Sequence, residues 1–316
     1  MMRAAICTRY GPPEVLEIRD VPRPSIGGRD LLVRVEAATV SVSDCYIRSG
    51  IPTASLAMRM AVRLMIGFRG PRRPIPGAAL AGTVEETGRR VTRFRAGDRV
   101  HAFTMMRMGA CAEYARVPEK SLVVATPDGV TAEEAAGIPY GGMLALHSLR
   151  KAEIRPGDPV VVYGASGAIG TAAVQLAKHF GAEVTAVCGT GNLELVRALG
   201  ADAVLDYTRD DTPGDRRYAL VFDAVGRRKT SPLKDALKTA LTPGGRFLSV
   251  DDSLPRMRKD DFVLLTELAA AGTLKPVIGR RYPLEQIAEA HRYVEERHKQ
   301  GNVVITMNPS EPKRTW

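Results

Sequence analysis

The sequence is poor in cysteine, and its four cysteines stand apart at Cys7, Cys45, Cys111 and Cys188. None of them forms a C-x-x-C pair, and no cysteine–histidine cluster has the spacing of a zinc site. These absences exclude a disulfide-stapled scaffold and a zinc finger. Isolated thiols in a chain of 316 residues also indicate a reducing compartment.

Long hydrophobic runs are missing as well. No stretch approaches the roughly 18 apolar residues that span a bilayer, so we expect no membrane partner. The start, MMRAAICTRYGPPEVLEI, predicts a strand and a Gly-Pro turn rather than a signal peptide. We therefore expect a cytoplasmic protein, long enough for two domains.

Aromatic residues make up only 5% of the chain, whereas its net charge is +10. Basic residues concentrate in two places, with five arginines in 59–73 and RRK at 227–229. A basic surface suits nucleic acid or anionic substrates. Because no nucleic-acid-reading motif accompanies the charge and aromatics for base stacking are scarce, we predict that nucleic acid is not the main partner.

The pattern of apolar residues divides the chain into parts. Short runs of period two, separated by glycine and proline, fill 1–127 and predict a β-rich first domain. In 128–265, strand patterns alternate with helix patterns, which predicts a parallel sheet covered on both faces and an α/β fold class. Residues 266–308 read strand, helix, strand, and we expect them to return to the first domain. The polar tail, 309–316, is expected to be flexible.

The stretch YGASGAIG, residues 163–170, joins an apolar strand pattern to an amphipathic helix pattern. Gly164 would make the turn, Gly167 would let the backbone approach a phosphate, and Gly170 would let helix and strand pack closely. No acid stands in the first turn of the helix, so its positive end is free for an anion. This order of elements predicts a dinucleotide site rather than a bare turn.

The end of the second strand bears on which dinucleotide binds. The segment VCGTGN, residues 187–192, has no Asp or Glu to hold the adenosine ribose hydroxyls. Thr190 and Asn192 are small polar residues that leave room for a 2′-phosphate. We therefore expect NADP(H) as the cofactor, with NAD(H) left open because the segment has no Arg or Lys.

These features in combination resemble a known family. The β-rich start, the GASGAIG corner, GADAVLDY at 200–207 and the closing LKPVIGRRYPLEQIAEAHRYVE are similar to the medium-chain dehydrogenase/reductase superfamily over about residues 3–307. Within it, the chain most resembles the zinc-free, quinone oxidoreductase-like branch. The resemblance implies a GroES-like, β-rich catalytic domain formed by both chain ends, and a Rossmann domain with a doubly wound parallel sheet.

The zinc enzymes of that superfamily have a catalytic cysteine before a Thr/Ser-Asp pair, and a His-Glu pair after Pro-Gly. Here Ser41 stands in place of the cysteine, and Ala78 and Ala79 replace the His-Glu pair. Without such ligands no zinc would be held to polarise an alcohol or carbonyl oxygen, so we expect no zinc. We predict an NADPH-dependent oxidoreductase that transfers hydride to a quinone or an α,β-unsaturated carbonyl.

By resemblance, SDCYIRSG at 43–50 faces the nicotinamide, which makes Asp44, Tyr46 and Arg48 the candidate catalytic residues. Tyr46 would donate a hydrogen bond or a proton to the substrate. Arg48 would support charge or organise Asp44. The alternative is that Tyr46 and Arg48 only cover the end of a strand.

The resemblance also adds positions to the cofactor site. It implies Tyr207 beside the 2′-phosphate, Val225 and Gly226 at the edge of the cofactor cleft, and Ser249 near the nicotinamide. The predicted cofactor-binding residues are Gly164, Ser166, Gly167, Ala168, Ile169, Gly170, Thr190, Asn192, Tyr207, Val225, Gly226 and Ser249.

Two departures from the family bear on partners. The connection DDSLPRMRKDD, 251–261, is too short for the extra strand through which family members usually pair their sheets, so we expect a monomer or a non-standard homodimer. Residues 52–75, apolar with spaced arginines, predict a substrate lid or an exposed loop. An alternative function also stays open, that of a cofactor-binding protein with little turnover that acts through binding, for example of RNA.

Overall fold

The computed structural model describes residues 1–50, 56–227, 229–252, 255–296 and 299–307, with the backbone alone for 56–59 and 62. The chain divides into two compact units. Unit 1 comprises Met1–Pro139 and the chain from Ile278 onward, and unit 2 comprises Tyr140–Val277. The units divide after Pro139, which lies inside a helix, and after Val277, and domain boundaries at 127 and 265 stay a prediction.

The elements are numbered in chain order within the described residues. The strands are β1 (Met2–Cys7), β2 (Leu16–Val21), β3 (Asp30–Val40), β4 (Ala79–Thr87), β5 (Arg99–Phe103), β6 (Tyr114–Pro118), β7 (Leu122–Ala125), β8 (Pro159–Tyr163), β9 (Glu183–Cys188), β10 (Ala203–Asp206), β11 (Tyr218–Asp223), β12 (Leu241–Ser249), β13 (Ile278–Pro283) and β14 (Asn302–Thr306). The helices are α1 (Val42–Ser49), α2 (Leu56–Ile66), α3 (Ala132–Ala152), α4 (Ala168–His179), α5 (Leu193–Ala198), α6 (Pro232–Thr239), α7 (Lys259–Ala270) and α8 (Ile287–Glu295).

Unit 1 is organised around β3, a strand rich in Val and Leu and almost entirely buried. It pairs antiparallel with β4 along one edge, while β6 and β14 pair with its first and last residues along the other. The sheet has the order β13-β14-β3-β4-β5-β7, with β6 beside β3. Because β13 and β14 come from the end of the chain, the closing segment completes the sheet of the first unit.

Unit 2 contains a five-stranded sheet in the order β10-β9-β8-β11-β12, with every pairing parallel. Its central strand β8 is a buried valine run, which is typical of a sheet covered on both faces. Strand order reverses between β8 and β11, the point at which open α/β sheets bind ligands. The predicted α/β fold class with a doubly wound parallel sheet is confirmed.

β12 stands at one end of this sheet. No strand in the described part of the chain pairs with its outer edge, and α7 begins at Lys259, soon after β12 ends at Ser249. None of the described residues between Ser249 and Lys259 belongs to a strand. Within the same described ranges, every helix is too short or too polar to cross a bilayer.

Two histidines of unit 1 are fully buried. His101 lies in β5, with its Nδ1 3.1 Å from the hydroxyl of Thr126, and His291 lies in α8. Burial lowers the pKa of His101 to about 3. Burial and, secondarily, the charge of Arg48 lower the pKa of His291 to about 3. Both imidazoles are therefore neutral in the folded protein at neutral pH.

We expect these histidines to make stability fall with acid. Unfolded histidine binds a proton near pH 6.5, whereas the folded sites do so only near pH 3, so the stabilisation is present above pH 6.5 and is lost as pH falls toward 3. Each site changes the free energy of unfolding by about 1.4 kcal/mol per pH unit between those two pH values. Urea unfolding of His101→Gln between pH 7 and 4.5 should show a shallower slope than wild type. His179→Gln, at an exposed position, is the control, and an equal slope in His101→Gln would contradict the assignment.

Candidate active site

The glycine corner lies where β8 meets α4. Gly164 has a φ of +81°, and a Cβ there would stand 2.2 Å from a methyl of Val225. A Cβ at Gly170 would stand 2.1 Å from the carbonyl oxygen of Gly164. Only glycine fits at either position, because the backbone turns in the left-handed region at the first and the helix touches the turn at the second.

The N-terminus of α4 has the properties of an anion site. Its N-cap is Gly167, no side chain accepts the first helix amides, and the first turn has no acid. A Cβ at Gly167 would meet only the Gly164 carbonyl oxygen, at 3.6 Å, so the space in front of the helix is open. The first amides, of Ala168 and Ile169, cannot bond within the helix, and with the helix dipole they attract phosphate. Half-buried Ser166 precedes the cap.

Beside the corner, the loop after β9 is held by an acid from the next strand. Thr190 donates its hydroxyl hydrogen bond to Asp206 at the end of β10. Asp206 also accepts from the amide and hydroxyl of Thr208, at 3.0 and 2.7 Å. Burial raises the pKa of Asp206, but these hydrogen bonds and the charge of the nearby Arg209 outweigh that effect, so its pKa is lowered. Asp206 thus holds the loop after β9 in place from the neighbouring strand.

The other predicted residues of this end lie close by. Tyr207 follows Asp206, is partly exposed, and its ring centroid lies 6.3 Å from that of Tyr163. Asn192 ends the short turn after β9 and is half-buried. The exposed Arg209 has its Nε 3.9 Å from an Asp206 oxygen. Sequence reasoning missed Arg209, because it searched for a cation only in the loop after β9.

A buried ion pair organises the opposite side of the corner. Asp223, at the end of β11, is fully buried and lies 2.8 Å from the ammonium of Lys234, which is 2% exposed. Asp223 accepts from the amides of Val225 and Gly226, at 3.1 and 3.2 Å. Lys234 donates to the carbonyls of Gly226 and Lys229, at 2.9 and 2.7 Å. The pair therefore fixes the loop that carries Val225 and Gly226.

Ser249 takes part in the same network. It is buried at the end of β12, and its hydroxyl donates to Asp223 over 3.0 Å. Its hydroxyl thus holds β12 to β11, and its contact with a nicotinamide stays a prediction. No sequence signal singles out Lys234, because surface lysines are common in amphipathic helices such as α6.

In unit 1, the three candidate catalytic residues lie on α1. Ser41 is its N-cap, and Ser41 and Asp44 form a capping box. Asp44 is buried and accepts from the amide and hydroxyl of Ser41, at 2.8 and 2.5 Å. Burial raises the pKa of Asp44, while the hydrogen bonds from Ser41 oppose that rise. Ser41, in the place of a zinc-binding cysteine, is thus a helix cap bonded to Asp44.

Arg48 is buried and ties α1 to its surroundings. Its guanidinium donates to the carbonyl of Gly11, to Glu295 of α8 and, over 3.4 Å, to His291. These contacts do not involve Asp44, which accepts hydrogen bonds from Ser41, so a role of Arg48 in organising Asp44 stays a prediction. Arg48 is thus a positioning residue for α1. Tyr46 is half-buried on the same helix, two residues away, and so on another face.

The positions that hold zinc in related enzymes carry no ligands here. Ala78 and Ala79 stand before and at the start of β4, and Ala79 is buried. No cluster of three or more His, Cys, Asp or Glu side chains suited to a metal occurs among the residues that the structure describes. The absence of zinc stays a prediction.

Comparison with known proteins decides the family. The family model for an alcohol dehydrogenase GroES-like domain matches residues 27–136, and two models for zinc-binding dehydrogenases match 168–274 and 252–305. The NADPH-dependent alkenal/one oxidoreductase, chloroplastic, of Arabidopsis thaliana is 31% identical over 96% of this chain and 79% of its own length. The quinone-oxidoreductase homolog, chloroplastic, of Spinacia oleracea is 31% identical over 96% of this chain and 98% of its own. The chain belongs to the medium-chain dehydrogenase/reductase superfamily, in its quinone oxidoreductase-like branch.

Structural comparison agrees with this placement. A solved structure described as an NAD-dependent alcohol dehydrogenase superposes with a TM-score of 0.83, at 29% identity, over 97% of this chain and 100% of that one. The predicted family and the GroES-like and Rossmann folds of this medium-chain dehydrogenase/reductase are thus confirmed. As a member of the branch, the chain is an oxidoreductase.

We expect two glycines of the corner to respond differently to the same change. Gly167→Ala has room in the free protein and an ordinary φ, so its unfolding free energy should stay within about 0.5 kcal/mol of wild type. Its methyl would obstruct phosphate, weakening NADPH binding roughly 10–100-fold. Gly170→Ala should instead lose about 1–3 kcal/mol of stability through overpacking. Fluorescence titration with NADPH and urea unfolding measure both, and wild-type NADPH affinity in Gly167→Ala would refute the phosphate site.

Proposed function

We propose that this chain is an NADPH-dependent reductase that transfers hydride to a quinone or to the C=C bond of an α,β-unsaturated carbonyl. The observation that carries the proposal is the uncapped, acid-free N-terminus of α4 behind Gly164 and Gly167. Family membership and the names of two relatives, an alkenal/one oxidoreductase and a quinone-oxidoreductase homolog, support the acceptor class. Nothing in the comparisons supports the alternative of a cofactor-binding protein with little turnover that acts through binding, for example of RNA.

The residues of unit 2 fit a dinucleotide. The amides at the start of α4 would hold the pyrophosphate, and the loop fixed by Asp223 and Lys234 would border the nicotinamide end. When bound, the reduced nicotinamide supplies the hydride. The chain's own part is to bind and orient that group, and to donate hydrogen bonds to the substrate oxygen as negative charge develops there.

We assign the donor role to Tyr46. Conjugate reduction adds hydride to the β-carbon, moves the C=C electron pair toward the carbonyl oxygen, and leaves an enolate that must gain a proton. A phenol can supply that hydrogen bond or proton. We propose that this charge is stabilised without zinc. The hydroxyl of Ser41 is bonded to Asp44, and the side chains of Ala78 and Ala79 have no atom that could bind a metal.

We propose a preference for NADP(H) over NAD(H). Thr190, Tyr207 and the exposed Arg209 surround the ends of β9 and β10, where an adenosine ribose binds in this fold, and Arg209 can pair with a 2′-phosphate. The buried carboxylate of Asp206 is already bonded to Thr190 and Thr208. One structural neighbour is described as NAD-dependent, so binding of both cofactors has to be compared.

The cytoplasmic location stays a prediction, because both relatives named above are described as chloroplastic.

The proposal is tested by following NADPH and NADH oxidation with a panel of quinones, enones and saturated aldehydes. We expect turnover with quinones or enones and no turnover with saturated aldehydes. The KM for NADPH should be lower than the KM for NADH. Tyr46→Phe should lower kcat about 100-fold or more with NADPH affinity unchanged, because only the donor is lost. Tyr293→Phe, a half-buried tyrosine of α8, is the control. Full activity in Tyr46→Phe would remove it from the mechanism, and turnover of aldehydes alone would overturn the acceptor class.

We also propose a monomer or a homodimer that leaves the edge of β12 unpaired. Exposed Pro243 and Arg246 stand in this strand, and its pairing with β11 shifts register between Tyr218 and Leu220. Proline, a charge and a bulge are the features by which proteins protect sheet edges from pairing. Light scattering should give the monomer mass of 34.1 kDa, or a dimer in which the β12 amides exchange as freely as in the monomer. Protection of those amides on dimerisation would contradict this proposal.

A further inference from the structure

Exposed apolar side chains concentrate on and just after α2. Of the nine large apolar side chains that are exposed in the described part of the chain, four fall within residues 60–68. They are Met60 at 46% exposure, Leu64 at 74%, Met65 at 63% and Phe68 at 64%. Met60 and Leu64 are four residues apart on α2, and Phe68 follows the helix end, whereas Ile66 is buried. We call this set of four the α2 apolar face. Monomeric soluble proteins rarely display such a cluster without a use for it.

This face is held firmly from behind. The guanidinium of Arg63 lies 5.2 Å from the ring centroid of Tyr10, whose hydroxyl donates to the carbonyl of Gly67 over 2.6 Å. Arg72 returns to the helix end, since its amide donates to Ile66 and its side chain to Leu64. These contacts attach the end of α2, and with it the α2 apolar face, to the rest of unit 1.

The chain segment that contains this face carries charge of one sign. Residues 45–84 contain six arginines and neither Asp nor Glu. Arg69, Arg72 and Arg73 follow the apolar face directly, and all three are exposed. An apolar strip bordered by arginines, with no acidic residue in the segment, suits a surface that has anionic groups outside and an apolar interior. A second copy of the same face would bring like charges together, which disfavours self-association.

We infer that the α2 apolar face docks on the surface of an anionic lipid bilayer. Phe68, Leu64 and the methionines would enter the boundary between headgroups and acyl chains, and the arginines would pair with lipid phosphates. This inference does not depend on the proposed reductase activity. It would place the protein where apolar quinones and enones dissolve. It departs from two expectations, because residues 60–73 gain a role other than a substrate lid, and because a bilayer surface becomes a partner although no described helix can cross a bilayer.

The test is sedimentation of the full chain with vesicles of equal parts phosphatidylcholine and phosphatidylglycerol, compared with phosphatidylcholine alone. We expect binding to the anionic vesicles at 0.1 M salt, weakened at 0.5 M salt, and little binding to the neutral ones. Arg69→Gln/Arg73→Gln should weaken binding roughly tenfold or more, since each basic residue near an anionic surface adds to affinity.

The decisive variant is Leu64→Glu/Phe68→Glu, which should lose vesicle binding. Ala271→Glu/Thr273→Glu makes the same change of net charge at exposed positions of unit 2 and should keep it. Circular dichroism and NADPH titration show that both variants are folded. Absence of binding by the wild type, or equal binding by Leu64→Glu/Phe68→Glu, would overturn the inference. Concentration-dependent dimers that Leu64→Glu/Phe68→Glu abolishes would also overturn it, by assigning the face to a second copy.

Discussion

The contact between Gly170 and the carbonyl of Gly164 is the constraint on which the nucleotide site depends. With no side chain at either residue, the first turn of α4 lies directly against the turn that ends β8. A larger residue would push the helix away from the strand and re-aim its N-terminus. The direction of the helix amides, and hence the capacity to bind a phosphate, follows from that backbone approach.

A second constraint is electrostatic. Asp223 and Lys234 are both buried, and a single buried charge without its partner would cost several kcal/mol. The remaining hydrogen-bonding capacity of both groups is used by backbone groups of Val225, Gly226 and Lys229, and by the hydroxyl of Ser249. These bonds fix the loop after β11, which lies at the switch point of the sheet where open α/β sheets bind ligands.

Local pattern was enough to predict much of this molecule. The strand, glycine turn and helix of 159–179 lie within about twenty residues, and the residue types in that stretch are enough to predict a phosphate site. The contacts that define the rest join distant residues. Arg48 meets His291 and Glu295 through packing of α1 against α8, and Thr190 meets Asp206 only because β9 and β10 are neighbours in a parallel sheet. No spacing rule reveals such pairs, so Arg48 was expected beside Asp44 and Asp206 was overlooked. The two compact units divide inside α3, at Pro139, and a continuous helix gives no sign of such a division.

The central claim is that hydride passes from a reduced nicotinamide to an electrophilic carbon conjugated with an oxygen. The most direct measurement is reduction of an enone with NADPH deuterated at C4 of the nicotinamide, on the transferred face, followed by NMR of the product. The account predicts one deuterium at the β-carbon and a saturated ketone. Deuterium at the carbonyl carbon of an allylic alcohol, or product without deuterium, would contradict it.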